Sequence, residues 1–362
     1  MPGDAFSAFV PLALPPIPPV KVSAVQLEKA ERALRQLDSI SGLLPDTSHF
    51  VYSYVRMEAL FSSQIEGTQS SLADLLLFET KEAPGVPLED VREVSDYVAA
   101  LEYGVGKRFS MSLLKKLHRL LMRSSRGADK SPGQYRRHQV WIGGDRPSRA
   151  RFVPPPAKDV NRCMRELESF LATDMHPLLK AALAHVQLET IHPFRDGNGR
   201  AGRLLVSLLL CSSGLLREPL LYLSTYLKAH RREYYDRLQS VRTEGDWEGW
   251  VRFFLEGLTL TAEDAWATAK QMLALFDSHR RAMEDSPAAL KVYAALQRRP
   301  ITNIGQLVRV TKLTYPTVAA ALARMPFAKE LTGRRRNRVF VYAPYVALLS
   351  AGDAPLPSRR RP

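Results

Sequence analysis

The chain has 362 residues, of which 45% are hydrophobic and 24% are charged. This composition is typical of a folded globular protein and excludes a mostly disordered, collagenous or membrane-spanning chain. Lys and Arg outnumber Asp and Glu by 51 to 37, and the formal charge of +14 indicates an anionic partner: nucleic acid, nucleotide phosphate or an acidic surface.

The first part of the chain is predicted to be helical. A proline-rich extended arm at residues 14–19 precedes a helical pattern that starts at Ser23. Further helices are predicted from about Ser48 to Glu66 and over Leu72–Phe78, Val91–Tyr103 and Ser110–Met122. The N-terminal residues lack the basic segment of a signal peptide, and no apolar run is long enough to cross a bilayer, so we expect no membrane partner.

The chain contains two cysteines, Cys163 and Cys211. Two cysteines do not make a disulfide framework in a chain of this length, and their spacing is not that of metal ligands. A reducing, cytoplasmic location is therefore predicted.

One β-hairpin is predicted between Gly133 and Pro156. Its strands are Val140-Trp141-Ile142 and Phe152-Val153, and Gly143-Gly144 follows the first strand as a turn signal. Three prolines close the hairpin and lead into a helix over Val160–Phe170, after which helical patterns continue to about residue 281.

The last predicted unit begins at the cap signal Asp285-Ser286-Pro287 and extends to about Leu349. It has three helices, the second capped by Thr302 and the third by Thr314, and then a strand pair around the basic segment Gly333–Arg338. The order resembles a winged helix-turn-helix with a basic wing. Such a wing suits contacts with DNA phosphates; a protein-docking or dimerisation module is the alternative.

The most informative segment is residues 191–203, between two apolar helical patterns. Leu179, Leu183 and Val186 mark an amphipathic helix before it, which Pro193 should end near His192. The apolar run Leu204–Leu210 after it is predicted to be a buried helix. A short loop rich in glycine and charge therefore lies between two core helices.

This loop has the residues of a polyphosphate site. Gly197 and Gly199 flank Asn198 and allow positive φ and close approach of the backbone to a ligand. Successive N–H groups then form an anion nest at the start of the next helix. Arg200 and Arg203, one turn apart, would face the same anion.

Two further side chains complete the predicted chemistry. Asp196 offers a carboxylate to Mg²⁺ that bridges phosphate oxygens. His192, with an ordinary pKa near ~6.5, can act as a general base at neutral pH. The alternative is a surface turn with a core histidine and two solvated arginines.

Residues 192–203 resemble the signature of Fic-domain proteins, HxFx(D/E)GNGRxxR, with every fixed position filled. Members of that family transfer AMP, less often another phosphate-containing group, from a nucleotide to a protein hydroxyl. The resemblance implies that His192 deprotonates the Ser, Thr or Tyr hydroxyl of the target, that Asp196 holds Mg²⁺, and that Phe194 anchors the loop in the core.

The same resemblance assigns the phosphate contacts. It implies that the α- and β-phosphates of ATP rest on Gly197, Asn198 and Gly199. It further implies that Arg200 clamps the phosphates and that Arg203 holds the γ-phosphate.

The resemblance extends to the predicted hairpin and to a later aromatic pair. The hairpin is similar to the flap with which the family holds a target segment by strand addition, which makes Val140, Trp141 and Ile142 the predicted target-binding residues. An ordinary surface hairpin is the alternative. In the pair Tyr234-Tyr235, Tyr235 is the candidate for the adenine pocket, and a pair of core aromatics is an equally good interpretation.

Residues 62–67 resemble the inhibitory motif (S/T)xxxE(G/N) of the family. Ser62 and Glu66 are one turn apart and share a helix face. A carboxylate in the phosphate site would pair bidentately with Arg203 and withdraw it from the γ-phosphate. A coupling of ~2 kcal/mol already corresponds to about thirtyfold in nucleotide occupancy or productive pose. The alternative is a solvated Glu at a helix C-terminus, where its charge opposes the helix dipole.

His185 is predicted to be a core or supporting histidine. It lies seven residues before His192, near the same helix face, but no third nitrogen or sulfur ligand is close in sequence. A metal site formed by the two histidines is the alternative.

Together these patterns predict a mostly α protein with a Fic-like helical core, a β-hairpin flap and a C-terminal winged helix-turn-helix. The predicted divisions are an N-terminal helical region with the inhibitory motif at 1–105, the Fic-like core at 106–281, the winged helix at 286–349 and a basic tail at 350–362. The resemblance implies Mg²⁺-dependent transfer of AMP from ATP to a protein target, with the chain itself as a candidate target, and a homodimer. Removal of AMP by the same residues, or a DNA-binding regulator whose loop senses nucleotide, are the alternatives.

Overall fold

The computed structural model describes residues 5–43, 47–124, 127–334 and 337–350. Two arginines of the predicted wing, Arg335 and Arg336, and the predicted tail beyond Ser350 lie outside these ranges. Within them the chain is mostly helical, as predicted, with one small antiparallel sheet near the C-terminus.

The N-terminal arm, residues 5–23, crosses the surface of the helical core without helix or strand. The Phe9 N–H donates to the carbonyl of Val153 at 2.9 Å, and the side-chain amide of Gln187 donates to the carbonyl of Leu12 at 2.7 Å. Further along, the Lys21 N–H donates to a carboxylate oxygen of Glu248. The arm is thus tied to three separate parts of the core.

Five helices follow the arm: α1 (Ala24–Leu43), α2 (Ser48–Ile65), α3 (Leu72–Glu79), α4 (Leu88–Gly104) and α5 (Met111–Leu121). Helix α2 is buried along most of its length. It ends at Glu66, and Gly67 has a φ of 106°, which confirms the predicted glycine stop. Glu66 is therefore held at the end of a buried helix.

The predicted β-hairpin is reduced to one antiparallel bridge. Ile142 and Phe152 exchange both backbone hydrogen bonds, at 2.8 and 3.1 Å, and a short 3₁₀ turn, Pro147–Arg149, lies between them. The prolines at 154–156 have no N–H to donate, and Gly143 and Gly144 both have positive φ, so the ladder extends no further. We call residues 139–156 the flap.

Three helices carry the central part of the chain: α6 (Ala157–Leu171), α7 (Pro177–Ile191) and α8 (Asn198–Ser212). Helices α7 and α8 pack against each other and are buried almost throughout. Residues 192–203, which we call the central loop, join them and include the first turns of α8.

The helical part closes with α9 (Ser224–Ala229), α10 (Arg231–Glu244) and α11 (Trp247–Arg281). Helix α11 has 35 residues and packs along α1. The indole N–H of Trp250 donates to the carbonyl of Ala182 at 2.9 Å, which fixes α11 against α7.

The C-terminal unit contains α12 (Pro287–Arg298), β1 (Ile301–Asn303), α13 (Ile304–Thr311), α14 (Tyr315–Ala323), β2 (Ala328–Glu330), β3 (Val339–Tyr342) and α15 (Ala343–Ser350). The strands form an antiparallel sheet in the order β1-β3-β2. Ser286 caps α12 and Thr314 caps α14, as predicted. Identification of the unit as a winged helix-turn-helix stays a prediction, and so do the domain boundaries.

The cap predicted at Thr302 is wrong by one residue. Thr302 lies in β1, opposite Phe340, because this segment forms a strand that the sequence pattern did not reveal. Asn303 caps α13 and forms a reciprocal capping box with Gln306.

The C-terminal unit packs on the N-terminal half of α2. The hydroxyls of Ser53 and Tyr345 lie 2.6 Å apart, and the Tyr345 hydroxyl also donates to the carbonyl of His49. On the surface, Arg334 pairs with Glu82 at 2.9 Å. Among the helices that the structure describes, none has the length and apolar character needed to span a bilayer.

Candidate active site

The central loop begins where α7 ends. His192 caps the helix in the left-handed region, with φ 49° and ψ 59°, and Pro193 prevents the helix from continuing. Gly197, with φ 73°, starts α8; a Cβ at this position would lie 2.6 Å from the sulfur of Met122. The predicted boundaries of the loop are confirmed.

Asn198 closes the loop on itself. Its side-chain oxygen accepts the Phe194 N–H at 2.9 Å, and its side-chain nitrogen donates to the Phe194 carbonyl at 3.0 Å. Both residues are buried, so these bonds form away from water. The loop therefore has one fixed backbone conformation.

His118 on α5 supports the loop, and sequence reasoning missed it. Its ring stacks on Phe194 at 3.7 Å between centroids. Its Nδ1 accepts the Gly133 N–H, which leaves the Nε2 proton to be donated to the carbonyl of Asp196 at 2.8 Å. Burial lowers the pKa of His118 to about 4, which agrees with a neutral ring. The sequence signal that could have revealed His118 is a polar residue within the apolar helical pattern of Leu114, Leu117 and Leu121.

His192 lies at the mouth of the loop as a neutral imidazole. Burial lowers the pKa of His192 to about 4, and the positive charge of Arg242 acts in the same direction. The Nδ1 atom is buried and has no hydrogen-bond partner among the described residues. A neutral ring is the protonation state that a general base requires, and the burial of Nδ1 leaves Nε2 as the nitrogen that a target hydroxyl could meet.

Arg136 links the loop to the flap, and its position was not predicted. It is 3% exposed, and its guanidinium donates to the carbonyls of His192 at 2.8 Å and Pro155 at 2.5 Å. Its own N–H donates to the carbonyl of Pro193 at 2.8 Å. The guanidinium of Arg136 thus holds carbonyls at the C-terminus of α7, where a positive charge is favourable.

Helix α8 starts at Asn198 with Gly197 as its N-cap, and the predicted anion nest at Gly197, Asn198 and Gly199 stays a prediction. Asp196 is exposed beside it; its Oδ1 accepts the Gly197 N–H at 2.6 Å, and its Oδ2 lies 3.1 Å from the position that a Cβ on Gly127 would take. An exposed carboxylate at this position fits Mg²⁺, which takes one or two protein carboxylates and completes its shell with phosphate and water oxygens.

Arg203 is occupied by the end of α2. Its Nε donates to the Ser62 hydroxyl at 2.8 Å, and its Nη2 donates to the Ser62 carbonyl at 3.0 Å and to Glu66 Oε1 at 2.5 Å. The side chain of Arg203 is 2% exposed. Although burial opposes it, the charge of Glu66 holds the pKa of Arg203 above its ordinary value.

Glu66 reaches the start of α8, where the phosphate site is predicted. Its Oε1 lies against the α-carbon of Gly199, closer than any Cβ there would allow. Burial acts to raise the pKa of Glu66, but the charge and hydrogen bond of Arg203 outweigh it and leave the pKa lowered. The predicted bidentate pairing is wrong in detail: one carboxylate oxygen pairs with Arg203, because Ser62 takes the remaining donors on that side of the guanidinium.

Arg200 lies beneath the loop. It is 4% exposed, its Nη1 pairs with Glu93 on α4 at 3.2 Å, and its Nη2 is 3.4 Å from the sulfur of Met122. The predicted contact of Arg200 with phosphate stays a prediction, because Glu93 and Met122 already hold its guanidinium.

The Tyr234-Tyr235 pair divides into a core residue and a residue at the site. Tyr234 is 1% exposed, and its hydroxyl lies 2.9 Å from Nε2 of His185. Tyr235 is half-buried; burial raises its pKa, and the charges of Glu66 and Arg203 both act on it. The charges of Glu66 and Arg203 act on Tyr234 as well, so exposure alone distinguishes Tyr235, and its contact with adenine stays a prediction.

His185 is a buried core residue, as predicted. It stacks on Trp250 at 5.7 Å between ring centroids. Across the part of the chain that the structure describes, no three His, Cys, Asp or Glu side chains are grouped as metal ligands. The alternative of a metal site with His192 gains no support.

The flap exposes its first strand and covers its second. Trp141 is 40% exposed, and its backbone N–H and C=O have no backbone partner among the described residues. Val153, in contrast, accepts the hydrogen bond from Phe9 of the arm. Arg242 packs on the ring of Phe152 at 4.0 Å and fixes the second strand to α10. One edge of the flap is thus open, at Val140–Ile142.

Two family models match adjoining parts of the chain: the Fic/DOC family N-terminal model matches residues 24–106, and the Fic/DOC family model matches residues 108–210. The chain is 35% identical over 219 residues to a protein adenylyltransferase Fic of Culex quinquefasciatus, covering 57% of this chain and 41% of that protein. It is 30% identical over 258 residues to one of Drosophila yakuba, covering 66% and 49%. The chain spans less than half the length of these curated relatives.

Solved structures show the same fold. A Fic family protein from Desulfovibrio desulfuricans superposes with a TM-score of 0.59 at 21% identity, over 90% of this chain and 97% of that one. A Fic-1 fragment from C. elegans superposes with a TM-score of 0.52 at 23% identity, over 68% and 74%.

Proposed function

The chain belongs to the Fic/DOC family, and we propose that it transfers AMP from ATP to a hydroxyl of a protein target. The observation that supports this most directly is the central loop. A neutral His192, a backbone nest at Gly197–Gly199 and a buried Arg203 meet within one loop whose conformation Asn198 fixes. The curated relatives named for this activity supply ATP as the expected donor.

In the proposed reaction, His192 accepts the proton of the target Ser, Thr or Tyr hydroxyl. The hydroxyl oxygen then bonds to the α-phosphorus, the bond from that phosphorus to the bridging oxygen breaks, and pyrophosphate leaves in line. The Gly197–Gly199 backbone would stabilise charge on the α- and β-phosphates, and Arg203 would stabilise charge on the γ-phosphate.

Mg²⁺ would be held by the exposed carboxylate of Asp196. When bound, the ion supplies charge neutralisation between phosphate oxygens. The chain contributes one fixed carboxylate, because the Gly197 N–H and the His118 contact orient the Asp196 residue.

We further propose that Glu66 inhibits this reaction. With Glu66 in the site, Arg203 is taken and a negative charge lies against Gly199, where a phosphate would rest. The γ-phosphate then meets repulsion instead of a cation. Removing the carboxylate should free the donor that Arg203 gives to Glu66, while the two hydrogen bonds to Ser62 keep the end of α2 in place.

The target would join the flap at its open edge. In an antiparallel pair, alternate residues direct their N–H and C=O groups to opposite sides. Ile142 uses its groups for Phe152, so those of Trp141 point to the free side, between Val140 and Ile142. Strand addition there reads little side-chain sequence, which leaves the identity of the target open.

The test is self-modification with α-labelled ATP and Mg²⁺, comparing the natural chain, Glu66→Gly, and Glu66→Gly combined with His192→Ala. Label should appear strongly only in Glu66→Gly. His138→Ala in the same background is the matched control, because it removes an exposed histidine just before the flap and should keep the label. No label in any variant, with other nucleotides equally inert, would contradict the proposed transfer.

Removal of AMP from a modified target is the second candidate. The charge of Glu66 acts on His192, and in this alternative the Glu66 carboxylate would orient an attacking water. A modified target incubated with the natural chain and with Glu66→Gly distinguishes the two. Loss of AMP release in Glu66→Gly would favour removal, and an unchanged slow rate would favour inhibition.

The DNA-regulator alternative rests on the C-terminal unit. Base readout in the major groove needs donors and acceptors such as Arg, Lys, Asn or Gln. The exposed residues of α14 are Tyr315, Pro316, Ala320 and Ala323, which offer almost none. We therefore favour protein contact for this unit. Binding of duplex DNA that weakens steeply with salt, and is lost in Arg334→Ala, would reverse this preference.

We propose a reducing, cytoplasmic setting, supported by Cys163 and Cys211, both of which are free thiols. The homodimer stays a prediction, and sedimentation of the natural chain tests it.

A further inference from the structure

Glu189 on α7 is a second acidic residue on which the charge of Arg203 acts, and no motif assigns it. It lies one turn before His192 and is 6% exposed. Its Oε1 is buried and has no hydrogen-bond partner among the described residues. A buried carboxylate oxygen without a donor is costly, which suggests that its partner arrives in another state of the site.

Two glycines of α8 make room for two carboxylates. Gly199 lies against Oε1 of Glu66, and a Cβ added at Gly202 would lie only 2.7 Å from Oε1 of Glu189. Gly199 and Gly202 are one turn apart on the helix that carries Arg203. The motif fixes Gly199, but nothing in it calls for a glycine at position 202; close approach of Glu189 explains it.

We propose that Glu189 is a positioning residue that takes over Arg203 when Glu66 withdraws and holds its guanidinium toward the γ-phosphate. This inference rests on the proposed function. Arginine has five N–H donors, so one carboxylate can orient it while other donors remain for phosphate. In the present state Nη1 of Arg203 has no hydrogen bond among the described residues, so a donor is available.

The charges around Glu189 support such an exchange. Burial raises the pKa of Glu189 to about 7, the positive charge of Arg203 opposes this, and Glu66 raises it further. Removal of Glu66 takes away one cause that raises the pKa of Glu189, so Glu189 then ionises more readily. The other groups that face it are Arg242 and Tyr234 from α10, and His185 and His192 from its own helix.

The test measures the Kd of ATP with Mg²⁺ for Glu66→Gly and for Glu66→Gly combined with Glu189→Gln, at pH 6 and pH 8. The titration of ATP itself is common to both proteins and cancels in the ratio of their Kd values. We expect the ratio to be about tenfold at pH 8 and clearly smaller at pH 6, where a larger share of Glu189 is protonated. The ratio for ADP, which lacks the γ-phosphate, should stay near one.

A merely structural role would weaken ATP binding equally at both pH values, and that result, or a ratio of one at both, would overturn the proposal. Glu58→Gln is the matched control. Glu58 is equally buried, but its oxygens already accept from Ser224 and Tyr97, so its ratio should not grow with pH.

If folded Glu66→Gly binds no nucleotide, the proposed function fails and the inference is judged separately. Glu189→Gln and Arg203→Gln are then combined in the Glu66→Gly background, and their urea midpoints are compared at pH 8. Pairing between the two side chains predicts shifts that do not add. Additive shifts would overturn the proposal.

Discussion

The central loop, residues 192–203, and the flap, residues 139–156, border the same site but are built in opposite ways. In the loop, Asn198, Phe194 and His118 are buried and joined by paired hydrogen bonds and a ring stack. In the flap, one bridge between Ile142 and Phe152 holds two short segments, and the first of them faces solvent.

The difference separates chemistry from recognition. A group that must meet a phosphate within a fraction of an ångström needs neighbours that leave it no alternative position. A surface that accepts varied targets through backbone hydrogen bonds needs an unpaired edge instead. Arg136 joins the two, since it donates to carbonyls of both His192 and Pro155.

The largest expected effect is in the loop. Asn198→Ala removes both hydrogen bonds to Phe194 and leaves buried backbone groups unpaired. In the Glu66→Gly background, transfer of label from ATP should fall ~10²–10³-fold, a typical cost of misplaced stabilising groups. Circular dichroism checks that the fold persists. Transfer within threefold of the parent would mean that the loop does not need this closure.

A smaller effect is expected at the open edge of the flap. Trp141→Pro removes the N–H that would donate a hydrogen bond to a carbonyl of the target strand. Modification of a protein target should therefore fall about tenfold, while the Kd of ATP stays unchanged. Trp141→Ala keeps the N–H and is the matched control, with a loss of less than about threefold. Equal losses in both variants would show that the side chain, and not the backbone, carries recognition.

The free energy of unfolding should fall at acidic pH, because buried histidines in and near the central loop take up protons when the chain unfolds. Burial lowers the pKa values of His118, His185 and His192 to about 4, so the unfolded chain binds three protons there between pH 6.5 and 4.5 that the folded chain does not. Burial raises those of Glu58 and Glu189 to about 7, so the folded chain keeps two protons that the unfolded chain releases.

Across these five groups, the unfolded chain binds one proton more than the folded chain, so a fall in pH favours unfolding. Stability should therefore decrease by about 1 kcal/mol per pH unit from pH 6.5 to 4.5, as urea unfolding can measure. Glu58→Gln with Glu189→Gln removes the opposing carboxylates and should steepen this dependence. A flat profile in the natural chain would contradict the burial of these histidines.

The smallest effect is expected at the covered edge. Phe9→Pro removes the single hydrogen bond from the arm to Val153 and should cost about 1 kcal/mol in the free energy of unfolding. Target modification should stay within twofold, because the target joins the other edge. A large gain in modification would indicate that the arm competes with the target.

Sequence patterns predicted the loop and the α2 motif well because their residues are close along the chain. Pro193 and Gly197 mark the helix ends on either side of the loop. Ser62 and Glu66 share a helix face because of their spacing. The helices around them were predicted from apolar periodicity, and their bounds differ from the structure by a few residues.

Other features depend on contacts that no spacing encodes. His118 and Arg136 reach the loop from 78 and 56 residues away, and each resembles an ordinary residue in its own segment. Strand β1 was missed because three residues show no alternation, and it is a strand only because β3 lies beside it. The flap was predicted too long because prolines and glycines that mark a turn also prevent pairing.

The arm also bears on the order of assembly. Its anchors at Gln187 and Glu248 are 175 and 227 positions further along the chain. Contacts over such separations form late, since the loops that they close are long and the helices that receive them must exist first. Residues 5–23 therefore leave the ribosome well before the surfaces that hold them, and they dock after the central helices have formed. The arm is synthesised before the surfaces that hold it and reaches its native position after them.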